Sequence, residues 1–270
     1  MTRPAPRAAV ITGASDGLGA AFAAALPAET ALLLHGRSAS KLAAVAEALT
    51  RPGRRVEVVT GDLMMPADRK ALAEAAAAFQ PDLLIPQAGF GVLGRVVDNL
   101  PTDETGMVLV NCLAPVELVH ALLPDMLARA RAGGPRAGVI LVASVAAFQP
   151  LARFATYAAS KAFDLAYAEG LAEEMRGDPV DVLALCPGAT RTGFFARANM
   201  AGPPGGGSRP LADPSQVARA ALAALGRQTV LVPGVANNAV PLAARLLPRG
   251  LARRLAGAAM AKVSAGGGGR

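Results

Sequence analysis

Ala8-Ala9-Val10-Ile11-Thr12-Gly13-Ala14-Ser15-Asp16-Gly17-Leu18-Gly19 is the stretch on which the reading of the whole chain turns. Ala8–Ile11 is a short apolar run of strand type, and Gly17–Leu26 is an alanine-rich run of helical type. Glycines at 13, 17 and 19 let the chain turn tightly between them and bring backbone N–H groups against a pyrophosphate. The positive end of the following helix adds to that attraction. The spacing is G-x3-G-x-G, not the commoner G-x-G-x-x-G, so the strand before and the helix after carry the inference. Taken alone, the same turn also suits a plain strand-to-helix connection.

Outward from this loop, β-rich runs alternate with helical ones. The strands expected are Ala8–Ile11, Ala31–Leu34, Val56–Val59, Leu83–Ile85, Gly138–Ala143, Val180–Leu185 and Thr229–Val232. The helices expected are Gly17–Leu26, Lys41–Leu49, Met65–Phe79, Glu104–Ala130, Thr156–Met175 and Ser215–Leu225. Several strands are apolar throughout, as in a parallel sheet covered on both faces. The alternation predicts an α/β fold, a Rossmann-like doubly wound parallel sheet of about seven strands with ligands at the C-terminal strand ends. Residues 190–212, rich in Gly and Pro, break the pattern and read as a substrate loop or lid. Asp213-Pro214 reads as the N-cap and first position of the next helix. One domain over residues 1–270 is expected: a core at 7–235, then a basic helical C-terminal extension at 236–264. Ala265–Arg270 reads as a frayed tail.

The second strand runs into His35-Gly36-Arg37-Ser38, where a dinucleotide site recognises the adenosine ribose. No Asp or Glu lies between Glu29 and Glu47, while Arg37 suits a bidentate phosphate contact. NADP(H) is therefore expected over NAD(H), although a solvated helix-capping arginine has the same sequence appearance. Asp16, inside the phosphate loop, works against an anion. His35 reads first as a surface histidine with its hydrogen bonds met, and second as a neighbour of the 2′-phosphate.

Tyr157-Ala158-Ala159-Ser160-Lys161 lies near the start of a helix, so Tyr157 and Lys161 share a face. A phenol ordinarily near pKa 10 exchanges protons poorly at neutral pH, and a neighbouring ammonium draws it toward the working range. Tyr167 has Leu171 at the same offset and reads as packing. Ser144, at the end of the fifth strand, is placed to hydrogen-bond a carbonyl that Tyr157 protonates. Asn111 is placed to support Lys161 through water. Either residue alone is equally well a satisfied buried polar group.

Together these motifs resemble the short-chain dehydrogenase/reductase family in its compact form, over about residues 7–235. The motifs are TGASDGLG at 12–19, Asp62-Leu63, Ala88-Gly89, Asn111, Ser144, YAASK at 157–161, and Pro187-Gly188 with Thr190 and Thr192. The resemblance implies a tetrad of Asn111, Ser144, Tyr157 and Lys161. Tyr157 would be the acid/base, Ser144 would orient the carbonyl, and Asn111 would hold a proton-relay water. Lys161 would bind the nicotinamide ribose and lower the tyrosine pKa. Gly13, Ser15, Asp16, Gly17, Leu18 and Gly19 would cradle the NADP cofactor's diphosphate, with Asp62 and Leu63 flanking the adenine. Ala88, Gly89, Pro187, Gly188, Thr190 and Thr192 would complete its site. A homodimer or homotetramer is implied as well. One departure stands out: the family usually has two asparagines before Ala-Gly, and here Pro86-Gln87 precede Ala88-Gly89.

Composition limits the alternatives. The 270 residues are 53% hydrophobic and 17% charged, which excludes a disordered chain, and two cysteines build no disulfide framework. Cys112 and Cys186 lack metal-ligand spacing and read as reduced core residues of a cytoplasmic protein without a metal site. Arg3 and Arg7 precede a strand, not a cleavage site, so no secretory signal is read, nor any run apolar enough to span a bilayer. The net charge of +7 invites nucleic acid, but residues 214–270 hold eight basic side chains and no acid, which leaves the body nearly neutral. Nucleic acid is therefore not expected as a partner.

Pro241–Lys262 places Leu242, Leu246, Leu251 and Leu255 near helical spacing between arginines, with Pro248 and Gly250 breaking it into two helices. It reads as a cap over the cleft or at a subunit interface, or alternatively as a basic amphipathic surface for peripheral membrane or lipid contact. The function expected is hydride transfer between NADP(H) and a small-molecule carbonyl or secondary alcohol, with Phe90, Phe194, Phe195 and Met200 hinting at an apolar ketone or aldehyde. The alternative is a non-catalytic NADP(H)-binding regulator or scaffold of the same fold.

Overall fold

The computed structural model describes residues 4–202, 211–234, 237, 239–261 and 263. Seven parallel strands form one sheet: β1 (Ala8–Thr12), β2 (Ala31–Gly36), β3 (Val56–Thr60), β4 (Leu83–Ile85), β5 (Ala137–Val142), β6 (Val180–Leu185) and β7 (Val230–Leu231). Their spatial order is β3-β2-β1-β4-β5-β6-β7. The chain builds outward from β1 in one direction, then returns to β4 and builds in the other. That reversal opens a crevice beyond the C-terminal ends of β1 and β4, where Ile11 is in register with both Leu34 and Ile85.

Alternation along the strands supplies two cores. Ile11, Leu32, Leu34 and Ile85 face α1 (Gly17–Ala25), α2 (Ala39–Leu49) and α8 (Pro214–Ala224). Val10, Leu33, Leu84 and Leu141 face α3 (Pro66–Phe79), α5 (Ala114–Arg131) and α6 (Ala155–Glu174) on the other side. Burying aliphatic side chains on both faces contributes roughly 25 cal/mol per Å² of apolar area, which is what holds a parallel sheet between helix layers. β3 is one of the two edge strands, with Val58 46% exposed and Glu57 facing out.

The expected helix over Glu104–Ala130 begins earlier, as α4 (Pro101–Val108), and a π turn at Leu109–Leu113 interrupts it before α5. Pro101–Arg131 thus runs 31 residues at a mean hydropathy of 1.8 over its most apolar window. That corrects the expectation that no run reaches membrane-spanning length. One side of the run is nonetheless committed to the core: Ala114, Leu118, Val119, Leu122 and Met126 are all buried.

Asp213 caps α8 as expected, its carboxylate accepting from the backbone N–H groups of Ser215 and Gln216. Within residues 190–212 a four-residue helix, α7 (Phe194–Arg197), interrupts the loop, and Thr190 bridges to Ala212. Residues 203–210 of that loop and the tail Ala265–Arg270 lie outside the described residues. At the C-terminus the expected break falls at Pro248, between α9 (Ala239–Leu246) and α10 (Arg249–Ala261). Gly250 lies within the first turn of α10 and does not break it.

Candidate active site

The strand-to-helix loop is built as its glycines require. Gly13 and Gly17 sit at φ +67° and +57°, where any other residue is strained. A side chain on Gly19 would put its Cβ 2.3 Å from the Gly13 carbonyl oxygen. Gly13, Ser15, Asp16 and Leu18 line the cleft, while Gly17 and Gly19 shape the loop from behind. The loop is tied to β4 by Ala88, whose N–H donates to Thr12 Oγ1 at 2.9 Å. Gln87, in the departing Pro86-Gln87 segment, lines the same cleft, and its Oε1 is buried without a hydrogen-bond partner.

The Tyr-Lys pair stands on the first turns of α6. Tyr157 is 8% exposed, its ring packed against Phe154 and Phe194 at centroid separations of 4.4 and 5.3 Å. Its phenol shares a hydrogen bond with Ser144. Ser144 in turn accepts from the Ala146 N–H at 3.1 Å, in the 3₁₀ turn Val145–Phe148 that follows β5. Lys161 Nζ donates to the Val142 carbonyl at 2.8 Å and to Asp164 Oδ2 at 2.9 Å.

Burial holds the Tyr157 phenol above the ordinary tyrosine range, against the downward pull of Lys161 and of the Ser144 hydrogen bond. Lys161 acts in the direction expected of it, and desolvation of the phenolate acts against it and is larger. Burial also disfavours the Lys161 charge, and the carboxylate of Asp164 together with Tyr157 more than restores it.

Asn111 is fully buried in the π turn. Its Nδ2 donates to the Phe90 carbonyl and to Ser160 Oγ, both at 2.9 Å, and its Oδ1 accepts from the Phe90 N–H at 3.1 Å. Both amide donors are thus used in bracing the Gly89-Phe90 turn against α6, which leaves a single lone pair for any relay water. Among the tetrad, Ser144, Tyr157 and Lys161 line the cleft and Asn111 stands behind them.

At the adenosine end, Arg37 lies 3.9 Å from Asp62, and Lys41 lies 3.9 Å from Asp16. Both cations are mostly exposed and both line the cleft together with Ser38, the N-cap of α2. Lys41 is a site residue that the sequence reading passed over; its signal is its place in the first turn after the Ser38 cap. Asp62 is held by its own backbone, its N–H donating to Asp68 Oδ2 at 2.7 Å and its Oδ1 accepting from the Met64 N–H at 3.0 Å. His35 departs from expectation. It is 1% exposed and burial lowers its pKa to about 4, so it is neutral and no surface residue, although it lines the cleft beside Gly36 and Arg37.

The Asp16 carboxylate, unhelpful beside a phosphate on its own, accepts from Arg197 of α7 at 2.8 Å. The loop over residues 190–202 therefore reaches back to the phosphate loop. Thr192 sits against Gly17, and Thr190 Oγ1 donates to the Gly188 carbonyl at 3.0 Å. Pro187, Gly188, Thr190 and Thr192 all line the cleft. Beyond Tyr157 the walls become apolar, with Phe90, Leu151, Phe154, Phe194, Phe195 and Met200 joined by Ala259 of α10. The whole cleft encloses about 1460 Å³, above the ~300–1,000 Å³ of an ordinary small-molecule pocket.

Comparison with known proteins agrees with this geometry. The short chain dehydrogenase family model matches residues 7–201, the segment that holds the glycine loop, Ser144 and the Tyr157–Lys161 pair. The chain belongs to the short-chain dehydrogenase/reductase family. It is 35% identical over 192 residues to 1-deoxy-11-beta-hydroxypentalenate dehydrogenase of Streptomyces avermitilis, covering 69% of this chain and 70% of that one. A short-chain dehydrogenase from Sphingobium yanoikuyae, solved with NADPH, superposes with a TM-score of 0.73 at 28% identity, over 84% of this chain and 88% of that one. A family member from Burkholderia phymatum, solved with NAD, gives a TM-score of 0.76 at 25% identity, over 91% and 94% of the two chains.

This short-chain dehydrogenase/reductase is thus an oxidoreductase with a nicotinamide-cofactor site, and its fold is the Rossmann-like sheet expected. Among the described residues no group of His, Cys, Asp and Glu is arranged to hold a metal ion. Both cysteines are free: Cys112 is half-buried in the π turn, and Cys186 is buried beyond β6. His120 is exposed on α5, away from the cleft.

Proposed function

We propose that the protein is an NADP(H)-dependent reductase of apolar ketones or aldehydes, working in reverse as an alcohol dehydrogenase. The observation that carries this reading is the position of the Tyr157 phenol. It is bonded to Ser144 and set beside Lys161, between the apolar half of the cleft and the half that leads to the glycine loop. The cradle fits a dinucleotide: side chains are excluded at Gly13 and Gly19, and Gln87 Oε1 lies there as an unused acceptor.

In this reading the backbone of Gly13–Gly19, with Ser15, Asp16 and Leu18 lining the cleft, would hold the pyrophosphate. Asp62 and Leu63 flank the adenine, and Arg37 with Lys41 meets the 2′-phosphate. Ala88, Gly89, Pro187, Gly188, Thr190 and Thr192 hold the nicotinamide half, and Lys161 holds its ribose. When bound, the nicotinamide supplies the hydride for reduction or takes it up in oxidation. Ser144 donates a hydrogen bond to the substrate carbonyl and fixes its direction. Tyr157 gives its proton to the carbonyl oxygen and recovers it from solvent by way of Lys161. Asn111 keeps Phe90 and α6 in place. Two cations and a helix N-terminus around the adenosine end support NADP(H), while Asp16 and Asp62 are each partnered by one of those cations.

A second reading, supported by α9 and α10, concerns where the substrate is met. Leu242, Leu246, Leu251 and Leu255 are 58, 74, 46 and 54% exposed. Arg249, Arg253 and Arg254 are exposed and meet no carboxylate among the described residues. On α10 the inner stripe of Ala252, Ala256 and Met260 is buried, and Ala256 and Met260 pack into the core around Tyr157. The outer side joins leucines to arginines, as in a helix that lies on an anionic lipid surface. This helix roofs a cleft with apolar walls, which suits a lipid-dissolved carbonyl compound as substrate. The two free thiols, Cys112 half-buried and Cys186 buried, support a reducing, cytoplasmic setting.

The test is consumption of NADPH by the purified protein over a panel of ketones and aldehydes of graded apolar bulk. Turnover with KM falling as bulk increases is expected. Cofactor binding without turnover across the panel would favour a non-catalytic regulator.

A further inference from the structure

The catalytic pair of α6 has a third member. Three residues beyond Lys161 lies Asp164, whose side chain is 3% exposed against 7% for Lys161. A buried ion pair of this kind says little about stability, because an apolar pair of like volume often does as well or better. Their geometry is informative instead. An ammonium has three N–H donors, and here one goes to Asp164 Oδ2 at 2.9 Å and one to the Val142 carbonyl at 2.8 Å. The third remains for the cleft, which Lys161 lines beside Tyr157 and Gly89. The nearby thiols do not compete, since burial pushes Cys112 up to about 11 and Cys186 up to about 12. Asn111 and Ser160 are bonded to one another and uncharged. Asp164 is therefore the one carboxylate paired with Lys161 among the described residues, and its Oδ1 has no partner.

We propose that Asp164 is a positioning residue for the carbonyl reduction. With Val142 it fixes the Lys161 ammonium so that the remaining N–H points into the cleft, and its negative charge offsets part of the ammonium's pull on Tyr157. The offset adds to burial in holding Tyr157 in its protonated form, which favours proton donation to a carbonyl over proton removal from an alcohol. This inference rests on Tyr157 being the proton donor of the proposed reaction.

Asp164→Asn tests it, because the amide retains an oxygen acceptor for Lys161 and removes the charge. The pH profile of kcat/KM for alcohol oxidation is expected to move to lower pH by about one unit, and carbonyl reduction to begin failing at correspondingly lower pH. NADPH affinity, measured by fluorescence titration without substrate, is expected to stay within about threefold. Asp164→Ala, which loses the acceptor too, is expected to weaken NADPH binding and lower kcat together. A pH profile in Asp164→Asn that coincides with the wild type, whatever happens to Tm or kcat, overturns the proposal. Where Asp164→Asn does not fold, Asp164→Ser gives the same comparison with room for a water in place of the carboxylate. If Tyr157→Phe retains turnover, the underlying reading of the reaction fails. If Tyr157→Phe is inactive and the Asp164→Asn profile is unmoved, only this inference fails.

Discussion

At the residue scale, burial and one charge decide most of the chemistry. Arg37 is mostly exposed and only loosely engaged by Asp62 at 3.9 Å, so it is free to turn toward a phosphate. A charge-assisted arginine–phosphate contact is worth ~1.5–3 kcal/mol. Arg37→Ala is therefore expected to lower NADPH affinity about tenfold or more and leave NADH affinity nearly unchanged. Titration with both cofactors checks this, and an unchanged ratio would remove Arg37 from the 2′-phosphate site. His35 gives a stability prediction. Its folded pKa of about 4 lies below the unfolded 6.5, so the unfolded chain binds the proton first as pH falls. Stability contributed by the neutral ring is complete above about pH 6.5 and is lost progressively down to about pH 4, a change of about 3 kcal/mol. His35→Leu is expected to flatten denaturant-midpoint curves over that window; curves as steep as the wild type's would contradict the assignment.

At the element scale, the loop after β6 is joined to the loop after β1. Arg197 of α7 bonds Asp16 across the cleft, and Thr192 rests on Gly17. An exposed pair of this kind contributes ~0–1 kcal/mol to stability, so its effect belongs to access. Arg197→Ala is expected to raise the KM for cofactor severalfold, with Tm within about two degrees; steady-state kinetics and a thermal melt check both. This pairing was not legible in the sequence, because a contact 181 residues apart leaves no local signal. The glycine loop, the alternation of strands and helices and the Tyr157–Lys161 pair were legible, since each is written in short-range spacing. The π turn at Leu109–Leu113 was not, because its residues are as helical in type as their neighbours and only the Asn111 bonds to Phe90 and Ser160 give it a reason. His35 was misread for a related cause. A polar residue at a strand end is ordinarily at the surface, but β2 is interior to the sheet and covered on both faces.

At the scale of the whole molecule, the positive surplus sits on the C-terminal segment, while the body that holds the cleft is nearly neutral. The exposed leucines of α9 and α10, with Arg249, Arg253 and Arg254 of α10, which meet no carboxylate among the described residues, are the surface by which lipid contact is to be judged. The wild type is expected to float with vesicles that contain an anionic phospholipid and to be released by salt. A variant with Leu251, Leu255, Arg253 and Arg254 changed to serine is expected to stay in solution and keep its turnover of a water-soluble ketone. Equal flotation of the two, or none with either, would leave the C-terminal helices as a cap alone.

The central claim is that one phenol, held by Ser144 and Lys161, moves the proton in a nicotinamide-dependent carbonyl reduction. Tyr157→Phe tests it most directly, since the ring still packs against Phe154 and Phe194 and only the hydroxyl is lost. Carbonyl reduction is expected to fall by about a hundredfold or more, with NADPH binding retained within a few-fold. Turnover by Tyr157→Phe at the wild-type rate would contradict the account.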